Sequence, residues 1–459
     1  MLNRKQLLKS GSALALGGLG SAQAAKKVES DYPEMTDFPK KKVKSVIYLH
    51  MVGGPSHLDL FDHKPMLQKL DGEKMPSSFL EGKRFAFLRG HPTVMGSKFE
   101  FKKHGESQLE LCELWKKLPE VADDITMIKS MHTDQFNHGP AQVMMQTGFG
   151  RFGRPCMGSW VNYGIGTGNE NLPGFVVLQE GTMPGAGSSL WSNGFLPGQY
   201  QGIKFLNSKS PVHFLDNPKG IRAETRQDIV GAINHLNGLQ YDQVKDPDIE
   251  TRMLQYDLAN RMQSTMPDVA DLSQEPKLTR EMYGEQGIGK HCLLARRLVE
   301  RGVRFVQVYV DGWDMHSNLP ATLERKVKHV DQPVTALIKD LKQRGMLDET
   351  LIIFGGEFGR TPMLQGKSGE GKSLKAGRDH HIDGFSNFMV GGPLKRGYTF
   401  GKTDDFGFNI VENPVHVHDF HATVLHMMGI DHLKLTHRFQ GRDYRLTDIG
   451  GRIMTDLYA

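Results

Sequence analysis

Short apolar runs alternate with amphipathic stretches along most of this chain. The run Val43–Val52 (VKSVIYLHMV) ends at Gly53-Gly54-Pro55 and predicts a buried strand followed by a turn. Ile125–Met127, Phe175–Leu178, Val303–Val310, Thr350–Phe354 and Phe388–Val390 carry the same signal. Leu323, Val327, Val330, Val334, Leu337 and Leu341 recur at alternating spacings of four and three, which predicts a helix over 321–344 with one core-facing stripe. Gly345 closes it, and Pro333 is a candidate kink. Leu293–Arg301 also reads as helical. Asp419–Met428 reads as a helix with Asp419 as N-cap and Gly429 as C-cap. A loop region rich in Gly, Ser, Pro and Asn over 181–220 precedes a polar helical stretch from Ile221 to about Met266, whose one breaker is Pro247. Strand–helix alternation of this kind implies an α/β fold with a mostly parallel central sheet and flanking helices.

The first 24 residues follow a different pattern. Arg4, Lys5 and Lys9 precede a short apolar run and then Ala22-Gln23-Ala24, the layout of an export signal. Lys5 stands where a twin-arginine signal has its second arginine, which leaves the export route open. Residues 25–42 read as a polar linker. The chain has 459 residues, 38% of them hydrophobic and 24% charged, enough for one large domain or two to three smaller ones. Its net charge of +5 falls to +2 without the three cations of the signal, which removes the main support for a nucleic-acid partner. Once the signal is cleaved, no stable membrane span is expected, and the location is periplasmic or secreted. Cys112, Cys156 and Cys292 are odd in number and far apart, and are expected to be buried thiols.

The 20 histidines direct attention to chemistry. In open α/β sheets, ligands bind beyond the carboxyl ends of the strands. Asp311, Asp314 and His316 follow one predicted strand, and Glu357 and Arg360 follow another. Arg378, Asp379, His380 and His381 come later. Carboxylates and imidazoles delivered to one edge suit a divalent metal ion: Zn, Mn or Fe, or with hard oxygen donors Ca or Mg. Singly, each residue is equally a turn cap, a loop histidine or half of an ion pair. His138 precedes an expected helix closed by Thr147-Gly148, a place that favours an anion. His426 and His432 read as surface or packing residues.

Gly53-Gly54-Pro55-Ser56-His57, Gly355-Gly356-Glu357-Phe358-Gly359-Arg360-Thr361-Pro362, Gly377-Arg378-Asp379-His380 and His418-Asp419-Phe420-His421-Ala422-Thr423 together resemble a large bacterial family of exported proteins. That family is catalogued as domain of unknown function 1501; it is sulfatase-like and related to the alkaline phosphatase/sulfatase superfamily. The resemblance spans about residues 43–450 and implies a single sulfatase-like α/β domain with insertions at about 181–290. It implies a hydrolase of sulfate or phosphate esters with a divalent metal (Zn, Mn, Ca or Mg) and an anionic ester substrate such as a polysaccharide. Asp314, His316, Glu357 and His380 are then the expected ligands, Arg360 or Arg378 the anion clamp, and His138 or His418 the general acid/base. The superfamily's nucleophile position falls on His138 and its following arginine on Gln142, so formylglycine chemistry is not expected. The same mismatches support an alternative: a catalytically degenerate fold serving as an exported binding or assembly protein.

Overall fold

The computed structural model describes residues 38–83, 85–206, 217, 220–365 and 375–459. The expected signal and most of the expected linker lie outside the described residues. Residues 35–459 cluster as one compact unit.

A nine-stranded sheet forms its centre. The strands are β1 (Ser45–Met51), β2 (Ile125–His132), β3 (Phe175–Glu180), β4 (Ile203–Lys204), β5 (Phe305–Val310) and β6 (Thr350–Gly355). An antiparallel ribbon follows, β7 (Gly359–Gln365) with β8 (Gly377–His381), outside the main sheet. Then come β9 (Phe385–Val390), β10 (Tyr398–Phe400) and β11 (Val415–His416). The order is β10-β2-β9-β6-β1-β5-β3-β4, with β11 also on β2. Strands β6, β1, β5, β3 and β4 pair in parallel. Only β9 runs against its neighbours, β2 and β6. The mostly parallel sheet expected from the sequence is present.

The strands are buried on both faces, so they read as near-continuous apolar runs. The twofold period still sorts their side chains. Ile47, Leu49 and Met51 of β1 join one core with Val306, Val308 and Val310 of β5. That core is covered by α5 (Ile288–Glu300) and α6 (Leu319–Gln343). Val46 and Tyr48 join a second core with Phe305 and Tyr309. It is covered by α1 (His138–Thr147), α2 (Met157–Ile165) and α7 (Val417–Met427). All six stripe residues predicted for α6 are buried in the first core, and the helix continues through Pro333. The three cysteines are free and buried.

Two boundaries differ from expectation. The polar stretch from 221 is two helices, α3 (Ala223–Val244) and α4 (Pro247–Ala270). Lys245 turns left-handed at φ +53°, Asp246 caps the next helix by accepting from the Asp248 amide, and Pro247 sits in its first turn, where its missing N–H costs nothing. The N-cap of α7 is His416, not Asp419; Asp419 occupies the third helical position and completes a capping box with it. Gly429 instead follows the C-cap Met428.

Leu337 is fully buried between α6 and the sheet. Leu337→Ala should therefore lower unfolding free energy by about 2–5 kcal/mol in urea titration; a loss below ~1 kcal/mol would mean that this stripe is not packed.

Candidate metal centre

Parallel strands point their carboxyl ends to one edge of the sheet, and the loops after β1, β5 and β6 meet there. Gly53 follows β1 with φ +119°, in the region that favours glycine. A Cβ on it would lie 2.3 Å from the Asp314 backbone nitrogen, so the loop after β5 can approach only because the side chain is absent. The Gly53 amide donates to both Glu357 oxygens, at 3.0 and 3.2 Å. One turn thus ties together the ends of three strands.

Four side chains converge at this edge. The ligand atoms of His138, Asp314, His316 and His380 all lie within 4.8 Å of one another. Asp314 and His316 come from the loop after β5, His380 from β8, and His138 is the first residue of α1. Asp314 Oδ1 lies 2.9 Å from His316 Nε2, 3.1 Å from His138 Nε2 and 3.5 Å from His380 Nε2.

The opposite ring nitrogens are anchored. His138 Nδ1 lies 2.8 Å from Glu357 Oε1, and His380 Nδ1 donates to the Phe136 carbonyl at 2.8 Å. His316 Nδ1 meets Gln365 Oε1. A carbonyl can only accept, so the Nδ1 of His380 carries the proton and its Nε2 presents a lone pair. That lone pair faces a carboxylate oxygen, an arrangement without a proton to share. Buried His380 Nε2 accordingly has no hydrogen-bond partner, and the same holds for His138 Nε2. A cation between these nitrogens and Asp314 resolves both, and Nδ1–H bonded outward with Nε2 turned inward is how metal-binding imidazoles are held. The donor set of three imidazoles and one carboxylate fits zinc or a similar divalent transition metal.

The electrostatics are those of the site without a cation. Burial alone would raise Asp314, but the close imidazoles of His138, His316 and His380 and the charge of Arg360 hold it far below the usual carboxylate range. Burial would lower His138, yet the Asp314 and Glu357 carboxylates raise it to about 9, so the ring keeps both protons until a cation displaces the one on Nε2. Burial lowers His380, favouring the neutral ring that a metal needs.

Glu357 lies outside the group of four. It is fully buried and takes hydrogen bonds from His138, Gly53 and Gln142, with His50 Nε2 at 3.3 Å from its other oxygen. Burial would raise its carboxyl, and hydrogen bonds from His138 and His50, with the charge of both rings, hold it well below the usual range. Gln142 thus serves Glu357.

Arg360 is buried, with donors directed at the Gly53, Gly54 and Arg378 carbonyls and at Asp314 Oδ1, the last at 2.7 Å. Arg378 is also buried; it grips Asp59 through two contacts of 2.8 and 3.2 Å and donates to the Thr361 carbonyl. Burial would raise Asp59, but the Arg378 charge and hydrogen bonds from Arg378 and Ser56 pull it down. Both forks therefore face the protein rather than an open site. His418 meets the Gly148 carbonyl at 2.7 Å, at the far end of α1 from His138. The ten residues of α1 span about 15 Å, so these two histidines do not share a site. His426 and His432 are buried packing residues that contact Tyr458 and Thr447.

Residues 43–458 match the family described as Protein of unknown function (DUF1501). The chain belongs to this family. No curated protein matches it. Among solved structures, it is similar to Ps i-CgsB in complex with k-i-k-neocarrahexaose, at 13% identity and a TM-score of 0.35, over 84% of this chain and 72% of that one. It is also similar to alkaline phosphatase from the Antarctic bacterium TAB5, at 11% identity and a TM-score of 0.37, over 85% and 99% of the two chains. The PsFucS1 sulfatase from Pseudoalteromonas sp. is similar at 13% identity and a TM-score of 0.36, over 85% and 68%.

No short motif joins His138 to the other three; it sits more than 170 residues upstream of Asp314. Its signals in the sequence were its place at the start of a helix closed by glycine and the nucleophile position that the resemblance laid on it.

Arg378→Ala would leave Asp59 charged and unpaired in the interior. It should destabilise the DUF1501 protein by about 3–5 kcal/mol in denaturant titration. A loss under ~1 kcal/mol would mean that Asp59 finds water or another partner.

Proposed function

We propose that this member of the DUF1501 family is an exported metal-dependent hydrolase of sulfate or phosphate esters. The observation that carries the metal reading is the convergence of three Nδ1-anchored imidazoles on Asp314 Oδ1. The ester class rests on the motif resemblance, with an anionic polysaccharide as one candidate substrate. Export rests on the character of residues 1–24; among the described residues, no helix is long and apolar enough to cross a membrane.

Asp314, His138, His316 and His380 are the proposed ligands. These residues would hold a divalent cation, which would supply Lewis-acid polarisation of an ester oxygen and a more acidic water. The chain's own residues prepare the place for it. Glu357 accepts the Nδ1–H hydrogen bond of His138 and so turns its Nε2 toward the site. His50 and the Gly53 amide balance the Glu357 charge from the other side. Arg360 orients Asp314 and offsets part of its charge, a positioning role in place of anion clamping. Arg378 positions the ribbon through Asp59 and Thr361. His418 has no part in this reaction, given its separation along α1.

Metal analysis of the purified protein tests the reading. About one equivalent of a divalent transition metal is expected, with turnover of 4-nitrophenyl sulfate or phosphate that is lost on chelation. His316→Ala should abolish both. Glu357→Gln should keep the stoichiometry while weakening metal affinity by about 10–100-fold. A stable protein that binds no metal sinks the proposal, whereas metal without esterase activity favours the binding-protein alternative.

A further inference from the structure

Two large apolar side chains beside the metal centre remain in water. Phe87 is 52% exposed and Phe136 48%. The Phe87 ring stands nearly perpendicular to the rings of His316 and His380, with centroids 4.8 and 5.6 Å away. Phe136 gives its carbonyl to His380 Nδ1.

Phe87 is also anchored. Its amide and that of Leu88 donate to Asp379 Oδ2 at 2.7 and 2.9 Å. Asp379 is fully buried, and its other oxygen accepts the His380 amide at 2.8 Å. A single buried carboxylate therefore holds both His380 and the exposed phenylalanine in register. Burial makes such charge-assisted bonds strong. An apolar ring left in water offers surface to whatever reaches the site.

We propose that Phe87 forms a ring-binding subsite for the uncharged ring that carries the ester, an aryl group or a pyranose. This rests on the ester-hydrolase reading above and names how that site selects its substrate. In a ring ester, one bridging oxygen separates the ring from phosphorus or sulfur. A ring ~5 Å from the ligand imidazoles is thus within contact of such a group. Aryl rings and the C–H faces of pyranoses both pack on a phenylalanine. Arg360 and Arg378 face the protein, so recognition through them is not available to compete.

Calorimetric titration of the metal-loaded full chain with phenylphosphonate, a pyranose phosphonate and methylphosphonate tests this. The expected result is that at least one ring phosphonate binds up to about tenfold more tightly than methylphosphonate. The tighter of the two tells an aryl from a glycosyl subsite. Phe87→Ala should erase the preference while leaving the methylphosphonate affinity and metal stoichiometry unchanged, and Phe87→Trp should retain it. If Phe87→Ala fails to fold, Phe87→Leu keeps apolar bulk without the flat face and should also lose the preference. Equal binding of ring and methyl phosphonates, or a preference that survives in Phe87→Ala, overturns the subsite alone. If no phosphonate binds the metal-loaded chain, the ester reading fails and this inference falls with it.

Discussion

Three imidazoles converge on one carboxylate oxygen, Asp314 Oδ1, and the site depends on the positive charge gathered there. His380 commits its proton to the Phe136 carbonyl, so its second nitrogen meets Asp314 with no proton between them. Such a contact inside a folded protein costs free energy unless a positive charge sits there. Arg360 provides part of that charge at Asp314, and a divalent cation would provide the rest. The surrounding residues serve this electrostatic constraint. Glu357, His50 and the Gly53 amide form a buried layer beneath His138, and Asp379 fixes the backbone of His380.

The sheet makes that convergence possible. Strands β6, β1 and β5 are adjacent and parallel, so their carboxyl ends open on the same edge. The close approach of their loops depends on Gly53, where a Cβ would strike the Asp314 backbone. The β7–β8 ribbon folds across, placing His380 opposite Arg360 in register. Helix α1 enters from the second core and contributes its first residue. The site joins both faces of the sheet, which lets rigid elements, rather than loops alone, set the spacing of the donors.

Much of the fold was legible because local pattern and burial coincide. Strands buried on both faces are apolar runs, and α6 shows its stripe at helical spacing, so 303–310, 350–354 and 321–344 stood out. The ribbon did not. Its strands, Gly359–Gln365 and Gly377–His381, carry arginines, histidines and glycines without twofold alternation, because they line a polar centre as well as small apolar clusters. The cap of α7 was misplaced for a local reason: in a capping box, Asp419 and His416 bond each other's backbone, and the sequence favours the better-known capping residue.

By itself, the sequence determined the class of architecture and the edge where chemistry gathers. Apolar runs alternating with helices imply a mostly parallel sheet, and polar residues after its strands gather at the open edge. It also placed Asp314 and His316 together after one strand, while His380 reaches them through the ribbon. Tertiary structure alone decided that His138 joins them while Glu357 stands behind it. Ligation depends on where a ring nitrogen points to within a few tenths of an ångström, and that is set by long-range hydrogen bonds. Likewise, only the fold turned Arg360 and Arg378 inward, because Asp314 and Asp59 are their nearest opposite charges, and left Phe87 facing the water.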